Sequence, residues 1–251
     1  MNAIILAAGK GERLRPLTNI VPKPLLKING EPIIERQIRF LLDSNVDSIV
    51  IVAGYMYTEF LYLKDKFPGV EIVINEQYDT TNNFYSLFLV KNKLKNTWIV
   101  EGDIYLMKNI FREHLESVYY TSLKPIVEYE WFFEYENTRQ VRSICIADRR
   151  KNPDSFNDKY NILLGISYWT EASCLKIISL IDSISQNKSA FENYCNSYWD
   201  QLVARHLNLF ELYIHPVSER DWFELDSIYD LQNLLSLLER PIKVGSFLIN
   251  H

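Results

Sequence analysis

Six apolar residues, Ala3 to Ala8, lead without a polar break into Gly9-Lys10-Gly11-Glu12-Arg13-Leu14-Arg15. A run this short, apolar throughout and bounded by glycine, predicts a strand buried on both faces, and such strands belong to parallel sheets covered by helices. The loop that follows suits an anion. Glycine at 9 and 11 lets backbone N–H groups come close, and Lys10, Arg13, Arg15 and Lys23 concentrate positive charge. Open α/β sheets bind ligands at the carboxyl ends of their strands, which is where this loop would stand. The P-loop pattern is absent, and a dinucleotide fingerprint would need glycine where Leu14 stands. A G-x-G alone is equally compatible with a structural turn; the basic residues after it favour the anion site.

Ser48 to Ala53, Val70 to Asn75 and Thr97 to Gly102 repeat the strand pattern. Between them, Pro32 to Asp43 places Ile33, Ile34, Ile38, Leu41 and Leu42 on one side of a helix entered through proline. Tyr57 to Phe67 and Asn83 to Leu94 predict two more helices, the second capped by Asn82 or Asn83. This alternation predicts a doubly wound α/β core with a mostly parallel sheet flanked by helices. The second half is less regular. Strands are expected over Pro125 to Tyr135, Gln140 to Ala147, Ile162 to Trp169, Leu209 to Ile214 and Trp222 to Leu225, and helices over Ser173 to Ile184, Glu192 to His206 and from Ile228 onward. Asp148 to Asn161 is hydrophilic, contains Asn-Pro-Asp and predicts a loop. No repeat or linker divides the 251 residues, so a single compact unit is expected.

A formal net charge of −5 argues against a nucleic-acid surface, which needs a broad basic face. No apolar stretch approaches the ~20 residues of a membrane helix, and the first residues lack the basic flank of a secretory signal. Cys145, Cys174 and Cys195 are odd in number and lack metal-ligand spacing, which predicts reduced thiols and a cytoplasmic location. The composition suits a chain that folds alone or as a simple oligomer.

The segment Leu6-Ala7-Ala8-Gly9-Lys10-Gly11-Glu12-Arg13-Leu14-Arg15-Pro16-Leu17-Thr18, followed by Lys23-Pro24-Leu25, resembles the signature of the sugar-phosphate nucleotidyltransferase superfamily. The resemblance implies a Rossmann-like fold in which Leu6, Ala8, Gly9 and Gly11 line the nucleotide. It places Arg13 at the reacting α-phosphate and Lys23 on the phosphates or the acceptor. Asp103 follows the apolar run Trp98-Ile99-Val100 and should emerge at the same sheet edge. A carboxylate facing a triphosphate is repelled unless a cation lies between, and Mg²⁺ is the natural choice; a turn or helix cap is the plainer alternative for an aspartate there. Glu224 and Asp226 are two apart on a short strand, so they face one side while Leu225 turns to the core. By resemblance Asp226 completes the metal site with Asp103. The four histidines, His114, His206, His215 and His251, fall outside these segments. A phosphate monoester has its second pKa near ~6 and attacks as a dianion, so no general base is required.

The acceptor is a separate question, because one fold serves many substrates. Tryptophans cluster late and near carboxylates, at Trp131, Trp169, Trp199 and Trp222. Aromatic faces beside carboxylates hold a quaternary ammonium by cation–π attraction, although each aromatic alone also suits core packing. Asn82-Asn83-Phe84-Tyr85-Ser86-Leu87, Glu130-Trp131-Phe132, Gly165-Ile166-Ser167-Tyr168-Trp169, Tyr198-Trp199-Asp200 and Glu224-Leu225-Asp226-Ser227 resemble bacterial choline-phosphate cytidylyltransferases over nearly the whole chain. That resemblance implies CTP and phosphocholine as substrates, a nucleotide half of about 1–110 and a small acceptor half of about 111–251. It implies Trp131 and Tyr198 as cage walls, Glu224 as their acidic partner, and Asn82, Asn83 and Ser86 as base or ribose neighbours. Asn82 and Asn83 suit helix capping equally well. The polar loop at 148–161 is longer than that family's. Phosphoethanolamine, 2-aminoethylphosphonate and sugar 1-phosphates remain alternative acceptors, and a non-catalytic nucleotide or choline sensor is the alternative of a different class.

Overall fold

The computed structural model describes residues 1–126, 129–151 and 158–238. Its first half runs β1 (Asn2–Ala7), β2 (Lys27–Ile28), β3 (Glu31–Pro32), α1 (Ile33–Leu42), β4 (Ser48–Ala53), α2 (Tyr62–Lys66), β5 (Val70–Ile74), α3 (Asn83–Leu89), β6 (Thr97–Glu101) and β7 (Ile104–Leu106). Its second half runs β8 (Ser117–Pro125), β9 (Tyr129–Tyr135), β10 (Val141–Asp148), β11 (Lys159–Trp169), α4 (Glu171–Ser185), α5 (Lys188–Cys195), α6 (Asp200–Arg205), β12 (Leu212–Val217), β13 (Trp222–Glu224) and α7 (Ile228–Leu238).

A nine-stranded mixed sheet forms the frame. Its core, in the order β6-β1-β4-β5, is parallel. β11 then adds antiparallel to β6 and joins this core to β8, β9, β10 and β12. Side chains of β1 alternate between two hydrophobic layers: Ala3, Ile5 and Ala7 pack with Ile34, Ile38 and Leu41 of α1, while Ile4 and Leu6 pack with Phe84 and Leu87 of α3 and with Ile177 of α4. Burial on both faces is why the strand reads as continuously apolar. A third cluster joins Leu14 of the glycine loop, Leu26, Tyr105, Leu225 and Leu234 of α7, so the late chain is anchored beside the early loop.

The expected mostly parallel core flanked by helices is present, and the differences lie mainly in the second half. Ser117–Pro125 is a strand that local patterning missed, and the strand expected over Pro125 to Tyr135 begins instead at Tyr129. β8 is central, paired with both β11 and β12, so its residues show no polar alternation at the start. The helix expected over Glu192 to His206 is two helices. Between them Asn196–Trp199 turns, because Asn82 N–H donates to the Cys195 carbonyl and Phe84 N–H to the Ser197 carbonyl, diverting those acceptors from a continuing helix. The strand expected from Leu209 starts at Leu212, after a short 3₁₀ turn. The helices expected at Tyr57 and Asn83 are shorter than expected, with 3₁₀ turns at Tyr57–Phe60 and Lys91–Lys93. Of the loop at 148–161, β10 takes Asp148 and β11 takes the residues from Lys159, and 152–157 lie outside the described residues. Among the described residues no helix is long and apolar enough to cross a membrane.

Candidate active site

Leu6 of β1 stands opposite Glu101 of β6, so both strands release the chain at one edge of the sheet. The glycine loop leaves from β1 there. Gly11 adopts φ 61, a conformation that costs glycine little, and its carbonyl accepts from the Thr18 hydroxyl at 2.9 Å. Lys23 follows Pro22 on a short 3₁₀ turn and is buried. From β6 the chain passes through Gly102 to Asp103, and the Leu225 N–H approaches the Asp103 carbonyl at 3.4 Å. Leu225 is fully buried, as the alternation of Glu224 and Asp226 around it requires.

These elements bring the four expected charged residues into one network. Lys23 Nζ donates to Asp103 Oδ2 at 2.7 Å and to Asp226 Oδ1 at 2.8 Å. Arg13 Nη2 donates to Asp226 Oδ2 at 2.8 Å. Burial works against the Lys23 charge, but the carboxylates of Asp103 and Asp226 outweigh it and raise its pKa, so the ammonium is retained. Lys10 turns across the cleft to an ion pair with Asp79, while Arg15 pairs with Glu12.

Carboxylate oxygens of Glu101, Asp103 and Glu224 lie within 4.8 Å of one another. Burial, then the negative charges of Asp103 and Asp200, pushes the Glu101 carboxyl well above the usual range. Burial of its carboxyl, then the charges of Asp103 and Asp226, raises Glu224; because the side chain is exposed overall, the repulsion from those two carboxylates is the firmer cause. Asp103 Oδ1 is buried with no hydrogen-bond partner. A buried, unpartnered carboxylate oxygen amid crowded carboxylates is the donor set of a hard divalent cation, which binds through oxygen and would relieve the repulsion. These residues fit such an ion.

A cleft of about 600 Å³ opens over the network, lined by Leu6, Gly9, Gly11, Arg13, Lys23, Asn82, Asp103, Tyr198 and Asp226 among others. A contiguous lobe of about 220 Å³ takes in Ala8, Asn83, Ser86 and Glu101. Every residue expected around the nucleotide therefore borders one cavity system. Asn82 is also the N-cap of α3, accepting from the Asn83 N–H at 2.7 Å, so one residue both caps the helix and borders the cleft. Ser86 is buried and its hydroxyl accepts from Asn75 Nδ2 at 3.1 Å. Trp131 is outside the lining and meets it through Tyr198, their ring centroids 6.5 Å apart in an edge-to-face pair. Among the described histidines, His114 and His215 pack against Tyr120 and His206 ends α6, and none of the three lines the cleft; His251 lies outside the described residues.

Sequence reasoning passed over Glu101, Tyr78, Asp79 and Thr81 as site residues. Glu101 had a signal, since it is an acidic residue at the end of the apolar run of β6, two before Asp103. The other three sit on the connection after β5, and no local pattern distinguishes them.

A model of the family described as nucleotidyl transferase matches residues 2–118, the part that carries the glycine loop, Lys23 and Asp103. A choline-phosphate cytidylyltransferase of Streptococcus pneumoniae is 37% identical over 95% of this chain and 99% of its own length. The chain belongs to the nucleotidyltransferase family. A solved structure of a CTP:phosphocholine cytidylyltransferase from the same species superposes on this nucleotidyltransferase with a TM-score of 0.85, at 36% identity, covering 94% of this chain and 98% of the other. A 2-aminoethylphosphonate cytidylyltransferase of Lancefieldella rimae is 30% identical, over 92% of this chain and 90% of its own. The nucleotidyltransferase is thus similar along nearly its whole length to enzymes that differ in their acceptor.

Proposed function

We propose that this enzyme transfers CMP from CTP to phosphocholine, giving CDP-choline and pyrophosphate. The observation that carries the transfer chemistry is the convergence of Arg13, Lys23, Asp103 and Asp226, each within hydrogen-bond distance of another, at the mouth of the glycine loop. The choice of acceptor is supported by the 37% identical relative and by Tyr198 on the cleft wall with Trp131 packed edge-to-face behind it.

In this reading the phosphocholine phosphate is a dianion at neutral pH and attacks the α-phosphorus directly. A new P–O bond forms, the bond to the bridging oxygen breaks, and pyrophosphate leaves with that electron pair. Arg13 and Lys23 offset the charge gathering on the α-phosphate and the leaving group, from positions set before substrate arrives. Backbone N–H groups at Gly9 and Gly11 approach the triphosphate, and Leu6, Ala8, Asn82 and Ser86 border the base and ribose. Mg²⁺ is the proposed ion, which Asp103 and Asp226 would hold, although the carboxylates grouped with Asp103 among the described residues are Glu101 and Glu224 while Asp226 is bonded to Lys23 and Arg13; when bound it would supply charge neutralisation and alignment of the triphosphate. Tyr198 and Trp131 would face the trimethylammonium, which donates no hydrogen bond. The nucleotide half is taken as about 1–110 and the acceptor half as about 111–251. The free thiols of Cys145, Cys174 and Cys195 support a cytoplasmic setting.

Pyrophosphate release is to be measured with each nucleoside triphosphate against phosphocholine, phosphoethanolamine, 2-aminoethylphosphonate and glucose 1-phosphate. CTP with phosphocholine should turn over fastest. Equal or better use of an aminoethyl compound would move the enzyme to the other cytidylyltransferase class, and inert phosphocholine beside an active sugar phosphate would remove the assignment.

A further inference from the structure

Asn83 borders the nucleotide lobe, yet both ends of its amide are engaged inside the protein. Nδ2 donates to Glu101 Oε1 at 3.1 Å, and Oδ1 accepts from the Trp199 N–H at 2.7 Å. One side chain therefore links the end of β6, two residues before Asp103, to the turn that presents Tyr198. The same turn is tied to the start of α3 by the Asn82 N–H to the Cys195 carbonyl at 2.7 Å, and by the Phe84 N–H to the Ser197 carbonyl at 3.3 Å. Glu101 is confined from its other side by β11. Gly165 there has φ +72, and a Cβ added to it would lie 2.8 Å from Glu101 Oε2. Glu101 thus fits between an amide that holds it and a position kept free of any side chain.

We infer that Asn83 is a positioning residue that fixes the Tyr198 wall relative to the end of β6 that leads into Asp103, rather than a nucleotide ligand. The inference rests on the proposed function, because it assigns Tyr198 to the acceptor. In the proposed reading the nucleotide is met by the glycine loop, the basic residues, Asn82 and Ser86; Asn83 sets the distance between them and the acceptor. Loss of its oxygen frees the Trp199 N–H and lets the 196–199 turn, with Tyr198, leave its place.

The test compares wild type, Asn83→Ala and Asn83→Asp. CTP affinity is measured by titration without acceptor, and kcat and KM for phosphocholine by pyrophosphate release. Asn83→Ala should leave CTP affinity unchanged and raise the phosphocholine KM by about ten-fold, the size of one lost hydrogen bond. Asn83→Asp keeps an oxygen for the Trp199 N–H but sets a second carboxyl against Glu101, so it should recover only part of that KM. A loss of CTP affinity in Asn83→Ala with an unchanged phosphocholine KM would overturn the inference. Should Asn83→Ala fail to fold, the uncharged Asn83→Ser is compared with wild type: a raised phosphocholine KM with unchanged CTP affinity supports the bridge, and weakened CTP binding with an unchanged phosphocholine KM sinks it. A wild-type chain inert toward phosphocholine would instead remove the functional reading on which the inference rests.

Discussion

Asp103 carries two loads in this site, one oxygen bonded to Lys23 and the other buried without a partner. Replacing it with asparagine keeps shape and the hydrogen bond but removes the charge that would face the cation. Turnover of Asp103→Asn should fall by several powers of ten while the melting temperature stays close to wild type; steady-state kinetics beside a thermal scan checks this, and near-normal turnover would mean the metal lies elsewhere. Asp200 offers a test through pH. Its carboxyl is buried under Tyr119, whose hydroxyl donates to it at 2.8 Å, and burial pushes its pKa from 3.8 to about 7. The folded chain therefore holds a proton that the unfolded chain gives up between those values, so this group lowers stability progressively as pH rises from about 4 to 7. Each pKa unit corresponds to about 1.36 kcal/mol, so the penalty is a few kcal/mol when complete. Asparagine still accepts from Tyr119 and carries no such penalty. Asp200→Asn should match or exceed wild type in stability at pH 8 and lose its advantage near pH 4, as denaturant titrations at both values would show.

Helices and strands matter here for where they release the chain. α5 ends just before the turn that carries Tyr198, and its start is capped by Asn187, whose Oδ1 accepts from the Ala190 N–H at 3.0 Å. Asn187→Ala should cost about 1 kcal/mol and lower the melting temperature by roughly 2 to 4 °C for a domain of this size; an unchanged melting curve would show that the cap contributes nothing. At this scale the first half was legible because each element is covered on its own terms. β1, β4 and β6 are apolar on both faces, and α1 has one apolar side. The second half was less so. β8 is defined by its partners β11 and β12, and the break between α5 and α6 is made by bonds from α3, more than a hundred residues earlier. No local pattern contains such partners.

For the whole molecule, the cleft joins the first strand's loop to the chain near residue 226, so a bound triphosphate should brace both ends of the fold. At one hundred times its dissociation constant a nucleotide contributes about 2.7 kcal/mol of stability. The melting temperature should therefore rise by roughly 5 to 10 °C with nucleoside triphosphate and Mg²⁺ together, and fall back when a chelator removes the ion. A shift of equal size without divalent metal would separate nucleotide binding from the carboxylate cluster. Sequence by itself determined the buried first strand and the α/β alternation, because short-range spacing is written locally, and it put forward Arg13, Lys23, Asp103 and Asp226 as candidates partly through a family resemblance. Only the tertiary structure decided that Lys23 bridges two aspartates, that Glu101 lies against Gly165, and that Asn83 faces Glu101 and Trp199. Those contacts join residues far apart along the chain, and their existence depends on the packing that brings the sheet edge, α3 and the late turn to one place.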